Sequence, residues 1–209
     1  MKHIKIYINE RLHLTSKQRY TCHPRKTEKL KKIIIQRIQE DGPDCDLNDI
    51  DVSHITDMSN LFRCDRHELG NEIFHDFNGD ISRWNVSNVK NMFCMFTGCE
   101  QFNCDISKWD VSNVYDMSYI FCNCKEFNCD ISHWNVSNVK NMGGVFYGCE
   151  KFNCDLSRWD VSNAKNMPYM FKRCKSFRQD IDGWNVSNVT IMIDAFNDCP
   201  TQPEWYRNK

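Results

Sequence analysis

Apolar and polar residues alternate along Trp84-Asn85-Val86-Ser87, and the same short alternation returns at Trp109, Trp134, Trp159 and Trp184. A period of two predicts a strand with Trp84 and Val86 facing inward. The next apolar positions are Val89, Met92, Met95, Phe96 and Cys99. Offsets of 3, 6, 7 and 10 trace one face of a helix. Ser87 and Asn88 suit a helix start, and Gly98, like Gly148, suits a stop. Phe102-Asn103 then turns the chain back, and Asp105-Ile106 leads into the next strand. One strand and one helix per unit predict the rung of an α/β solenoid.

The unit recurs without insertion or deletion. Asp80, Asp105, Asp130, Asp155 and Asp180 each open a copy, 25 residues apart. Met92, Met117, Met142, Met167 and Met192 mark the same register, as do Phe96, Phe121, Phe146, Phe171 and Phe196. A degenerate copy precedes them: Ile50-Asp51-Val52-Ser53-His54-Ile55-Thr56-Asp57-Met58 aligns with the stretch from Trp84 to Met92. The step from Val52 to Val86 is 34 residues, so this copy carries an insertion near 63–74. Three copies suffice to bury a continuous core between layers, and about six are present.

This repeat resembles the BspA-like leucine-rich-repeat group, in particular its DUF285-type subgroup with the Trp-Asp/Asn-Val-Ser-Asn-Val signature. The resemblance covers roughly residues 47–200. It implies a leucine-rich-repeat-like solenoid used for binding, and it implies no particular ligand.

The ends differ from the repeat. Ile4, Ile6 and Ile8 alternate with polar residues and predict a strand. Thr27-Glu28, followed by Leu30, Ile33, Ile34 and Ile38, predicts an amphipathic helix ending near Asp41-Gly42-Pro43. Residues 1–46 therefore read as an N-terminal α/β cap, 47–200 as the repeat stack, and 201–209 as a tail in which Trp205-Tyr206 covers the final layer. The cap holds 11 Lys and Arg against 6 Asp and Glu, whereas the rest of the chain holds 16 against 22. A basic cap on an acidic body suits steering of an anionic partner, and a solvated helix face accounts for it equally simply.

Thirteen cysteines are many for 209 residues, but most follow the repeat. One column is Cys99, Cys124, Cys149, Cys174 and Cys199, and another is Cys104, Cys129 and Cys154. Residues that stack on their own equivalents read as small buried thiols in a reducing compartment. Disulfides between layers and metal binding remain alternatives. Cys64, His67 and His75 in the insertion form a weak metal candidate, and surface polarity explains them as well. No phosphate-binding glycine loop is visible, and nothing places a nucleophile beside a base. The chain reads as neither an enzyme nor the holder of a cofactor. No apolar run reaches the roughly 18 residues of a membrane span. Met1-Lys2-His3-Ile4-Lys5-Ile6 lacks the apolar core of a secretory signal, so the expected location is cytoplasmic.

Outward positions on the strands carry the sharpest candidate site. One column reads Arg83, Lys108, His133, Arg158, and its neighbour reads Asn85, Asp110, Asn135, Asp160. A basic stripe beside a polar-acidic ladder reads as a binding face, or as charge balance for solubility. Tyr119, Tyr147 and Tyr169 on the helix side are candidate interface anchors. The expected function is a non-catalytic protein-protein interaction module, an inhibitor or adaptor with a protein partner. The alternatives are a surface adhesin of the BspA type and nucleic-acid binding through the basic cap. The acidic body argues against nucleic acid, and open stack ends leave a homodimer as a further expectation.

Overall fold

A computed structural model describes residues 21–64 and 71–207. The strand expected at Ile4, Ile6 and Ile8 and the candidate ligand His67 lie outside these residues. Among the described residues there are two α-helices, α1 over Thr27–Asp41 and α2 over Glu204–Arg207, with a short 3-10 turn at Glu72–Phe74. Helix α1 buries Leu30, Ile34 and Ile38, the apolar stripe that its sequence announces.

The repeats stack, but not as strand-helix rungs. Among the described residues the repeats contain neither a helix nor a multi-residue strand, so the α/β, leucine-rich-repeat-like architecture is corrected. Each layer is a coil of consecutive turns. N–H groups bond three residues back within the coil: Trp84 to Ile81, Val89 to Val86, Met95 to Met92, Thr97 to Cys94, Cys99 to Phe96 and Phe102 to Cys99. Turns that share residues return side chains to one side every three or four positions. They therefore imitate the apolar spacing of a helix.

A helix is prevented by where the alternate N–H groups go. Met92, Cys94, Phe96 and Gly98 donate to the carbonyls of Asp116, Ser118, Ile120 and Cys122 in the next coil, at 2.8–3.0 Å. The row repeats at every later interface. Positive φ at Cys94 (54°) and Gly98 (81°) aims these groups outward and is incompatible with helical backbone. Every N–H from Met92 to Cys99 is thus satisfied: the alternate ones across the interface, the others within the coil or, for Phe93, by Asn91 Oδ1.

Strand pairing shrinks to single parallel bridges linking Asp57, Asn91, Asp116, Asn141, Asn166 and Ile191 in succession. The expected strand from Trp84 to Ser87 gives way to a turn. Asn85 Oδ1 accepts the Ser87 N–H at 3.1 Å, forming an Asx-turn. Asn88 starts no helix. Its side-chain amide donates to Ser53 O of the preceding coil, as Asn113, Asn138, Asn163 and Asn188 donate to Ser87, Ser112, Ser137 and Ser162.

Inside, each repeated residue meets its own equivalents. Trp84 and Trp109 stack at 6.5 Å between ring centroids, as do Trp159 and Trp184. Each indole N–H reaches back one coil: Trp109 to Ile81 O, Trp134 to Ile106 O and Trp159 to Ile131 O, at 3.0–3.2 Å. Two phenylalanine columns interleave, for example Phe96 with Phe102 at 4.1 Å and Phe121 with Phe127 at 3.9 Å.

Trp205 repeats the tryptophan pattern from outside the repeats. Its ring stacks on Trp184 at 6.2 Å and its N–H donates to Ile181 O at 2.9 Å, closing this side of the last coil. At the other end, Thr27 Oγ1 and Lys31 Nζ of α1 donate to the carbonyls of Asp57 and Asn60.

Candidate binding surfaces

Asp80, Asp105, Asp130 and Asp155 open their coils by accepting the N–H of the serine two residues on, at 2.9–3.0 Å. These bonds stabilise the ionised carboxylate. Ser107 and Ser132, through side chain and backbone, hold the carboxyls of Asp105 and Asp130 below the usual carboxylate range, with smaller help from Lys108 and His133.

The sequence-derived columns flank this row. Arg83, Lys108, His133 and Arg158 are exposed, and so are Asn85, Asp110, Asn135 and Asp160. The stack brings all eight to one side. The second column already has structural work: Asn85, Asp110, Asn135 and Asp160 each cap a turn through the N–H of Ser87, Ser112, Ser137 or Ser162. The basic column stands among carboxylates. Arg83 lies 3.7 Å from Asp46, while the carboxyls of Asp105 and Asp155, held low chiefly by Ser107 and Ser157, are lowered a little further by Lys108 and Arg158.

The cysteine columns split by depth. Cys99, Cys124 and Cys149 are fully buried, and each S–H points at a phenylalanine carbonyl: Phe62, Phe96 and Phe121 at 3.0–3.1 Å. Burial pushes these thiols well above their ordinary value. Cys104 and Cys154 are half-buried beside aspartates and are pushed up to about 11. No disulfide joins any of the thirteen cysteines, all of which lie among the described residues. Of the candidate metal group, Cys64 is buried, and His75 pairs with Asp76 at 2.7 Å and Glu100 at 3.5 Å. Among the described residues no three His, Cys, Asp or Glu side chains gather in a metal-binding arrangement.

A second surface lies over the turn-rich segment from 92 to 99 and its equivalents. In sequence register Tyr119 and Tyr169 flank Gly144. The Tyr119 ring lies so close to Gly144 that a Cβ there would sit 2.3 Å from Cε1. Pro168 covers Gly143 in the same way, at 3.1 Å from the corresponding Cβ position. Phe93 meets Tyr119 edge-on at 6.4 Å. Lys172 Nζ lies 5.2 Å from the Tyr169 ring and bonds Asp194 at 2.8 Å, and the Arg173 guanidinium lies 5.8 Å from the Tyr147 ring. Burial raises the Tyr119 phenol, with smaller contributions from Cys122, Tyr169, Cys94 and Tyr147. The three tyrosines therefore form one half-buried cluster with two cations beside it.

Next to this cluster is a cavity of about 480 Å³ lined by Asn123, Lys125, Gly148, Glu150, Arg173, Lys175 and Asp198. An ion-pair ladder runs past it, with Lys125, Glu150 and Lys175 in its wall. Lys125 pairs with Glu100 at 2.6 Å, Lys175 with Glu150 at 2.9 Å, and Lys151 with Glu126. Sequence reasoning named the tyrosines but missed Lys172, Arg173 and this ladder. The signal lies in aligned positions: Glu100, Lys125, Glu150 and Lys175 occupy one register and alternate in sign.

A family model described as "Mycoplasma protein of unknown function, DUF285" matches residues 35–136 and 95–205. No curated protein and no solved structure matches the chain.

Proposed function

Since the chain belongs to the DUF285 family of repeat proteins, we propose that it is a non-catalytic protein-binding module whose main contact surface is the tyrosine-cation cluster. The observation that carries this reading is the grouping of Tyr119, Tyr147 and Tyr169 with Lys172 and Arg173. Interior and turn-capping positions repeat because the stack needs them. The cluster positions vary from coil to coil, so stacking does not dictate their side chains. Tyrosine and arginine supply large amphipathic contact area at low entropic cost and dominate protein interface energetics. The basic stripe of Arg83, Lys108, His133 and Arg158 ranks second, because aspartates stand beside each of its members. The mixed charge of both surfaces favours a protein partner over bare nucleic acid.

Affinity capture on immobilised protein tests this reading, using two variants. One carries Tyr169→Ala and Arg173→Glu, and the other carries Arg83→Glu, Lys108→Glu and Arg158→Glu. The expected result is a saturable, nuclease-resistant protein partner lost at least tenfold with the first variant and retained by the second. Loss only with the second variant moves the site to the basic stripe. Loss of all binding after nuclease overturns the proposal in favour of nucleic acid.

A further inference from the structure

Nine of the twelve lysines and arginines between residues 80 and 200 stand beside a carboxylate or bond a carbonyl. Lys90, Lys140 and Lys165 do neither among the described residues. All three are exposed, and they share one register with Tyr115, which is 46% exposed. The stack fixes their spacing. Tyr115 N–H donates to Lys90 O, Lys140 N–H to Tyr115 O and Lys165 N–H to Lys140 O, at 2.8–2.9 Å. Thr56 and Thr190 continue the same row of bonds at its two ends. Backbones joined in this way stand about 4.8 Å apart, so the four side chains rise from a straight row about 14 Å long.

The neighbouring columns leave this charge uncompensated. On one side, the column from Asn88 to Asn188 is asparagine in every coil. On the other, Asp116 is the one carboxylate between Asn91 and Asn166, and it is engaged by Ser118 and Asn141. Lys140 and Lys165 face each other across a single interface, and like charges placed directly opposite cost stability. The ladder of Glu100, Lys125, Glu150 and Lys175 avoids that cost by alternating in sign. The Arg83 stripe avoids it by running beside aspartates. Only the Lys90 row keeps bare cations in register, with an aromatic ring among them.

We infer that Lys90, Tyr115, Lys140 and Lys165 bind an acidic, extended segment of a partner protein, laid along the axis of the stack. An extended chain sets alternate side chains on one face about 6.6 Å apart, so three alternate carboxylates span about 13 Å and match the row. The middle carboxylate then falls between Tyr115, whose hydroxyl can donate to it, and Lys140. Each contact is a charge-assisted hydrogen bond or an ion pair at a surface already desolvated by the partner's backbone. A nucleic-acid strand is a poorer occupant. It runs on beyond the row over a body that holds 16 Lys and Arg against 22 Asp and Glu, whereas five peptide residues end where the row ends. The surface shares no residue with the tyrosine cluster and does not depend on it.

The probe is a synthetic peptide, acetyl-Glu-Ser-Glu-Ser-Glu-amide, added to the isotope-labelled full chain at low ionic strength while amide chemical shifts are followed. The expected result is saturable movement centred on the Lys90, Tyr115, Lys140 and Lys165 amides, weakened at least tenfold by about 0.3 M salt. The same peptide with Gln in place of each Glu is expected to move nothing. Lys140→Gln with Lys165→Gln, two exposed positions whose substitution spares the core, weakens the response at least tenfold, and Arg83→Glu with Lys108→Glu leaves it within twofold. A thymidine tetranucleotide, which carries three phosphates, is the nucleic-acid arm. Any of four outcomes overturns the proposal: no saturable movement of these amides at millimolar peptide, a response undiminished in the Lys140→Gln/Lys165→Gln variant, loss with the Arg83→Glu/Lys108→Glu variant instead, or movement by the tetranucleotide at lower concentration than by the peptide.

Discussion

Phe121 sits in the middle of the stack and is fully buried. Five rings surround it: Phe96 at 5.8 Å, Phe102 at 6.4 Å, Phe127 at 3.9 Å, Trp134 at 6.1 Å and Phe146 at 6.1 Å. They come from the coil below, its own coil and the coil above. Truncating a buried phenylalanine to alanine costs about 3–5 kcal/mol. Loss of close aromatic contacts adds about 0.5–1.5 kcal/mol per pair, and neighbouring pairs do not add in full. Phe121→Ala is therefore expected to cost about 5 kcal/mol. Phe196 occupies the same register at the end of the stack and meets Phe171 at 5.2 Å, Trp205 at 5.7 Å and Tyr206 at 4.9 Å, with no further coil above. Its truncation is expected to cost about 3 kcal/mol, because one side of the ring faces only α2. Urea unfolding followed by tryptophan fluorescence and circular dichroism measures both. A cost below about 2 kcal/mol for Phe121→Ala, or one no larger than for Phe196→Ala, would refute the claim that interleaved rings hold the coils together.

Gly144→Ala is expected to destabilise by about 1–3 kcal/mol, since φ is 59° and the new Cβ meets the Tyr119 ring. Gly183→Ala, with nothing within 4 Å of its Cβ position, is the near-neutral control in the same melting experiment. The carboxyls of Asp105, Asp110, Asp130 and Asp160 are held low chiefly by their serine partners. Folded values below the unfolded value of about 3.9 mean that this stability is fully present above about pH 4. It is lost as the pH falls through the folded values. Asp110→Asn with Asp160→Asn is expected to keep the turns, as Asn85 and Asn135 do, and to flatten the acid limb of a stability-pH curve measured by denaturant titration. Iodoacetamide at pH 8, read by mass spectrometry, is expected to leave Cys99, Cys124 and Cys149 unmodified in the native protein and to label them only in denaturant, because burial keeps them as thiols.

The candidate surfaces were legible only in part. Exposure of Arg83, Lys108, His133 and Arg158 follows from their place beside the buried tryptophans and holds for any layered repeat. That Asn85 and Asp110 cap turns was not legible, because an outward polar residue on a strand carries the same pattern. Tyr119 and Tyr169 were readable as anchors. Their convergence with Tyr147 and Arg173 needed the coil-to-coil offset that only the stack defines.

The sequence by itself determined the period and the interior. A repeat of 25 residues forces Trp on Trp and Phe on Phe, and Val89, Met92, Met95, Phe96 and Cys99 are buried as their spacing requires. It also determined α1, whose apolar stripe stands outside the repeat. Only the tertiary structure decided what backbone carries those buried positions. Spacings of three and four suit a helix and a chain of shared turns equally, and local propensity does not separate them. The neighbouring coil does, by offering carbonyls to Met92, Cys94, Phe96 and Gly98, which a helix would have turned back upon itself. With the acceptors lying across the interface, the backbone adopts positive φ at Cys94 and Gly98 to reach them, and neither the strand nor the helix of the repeat forms.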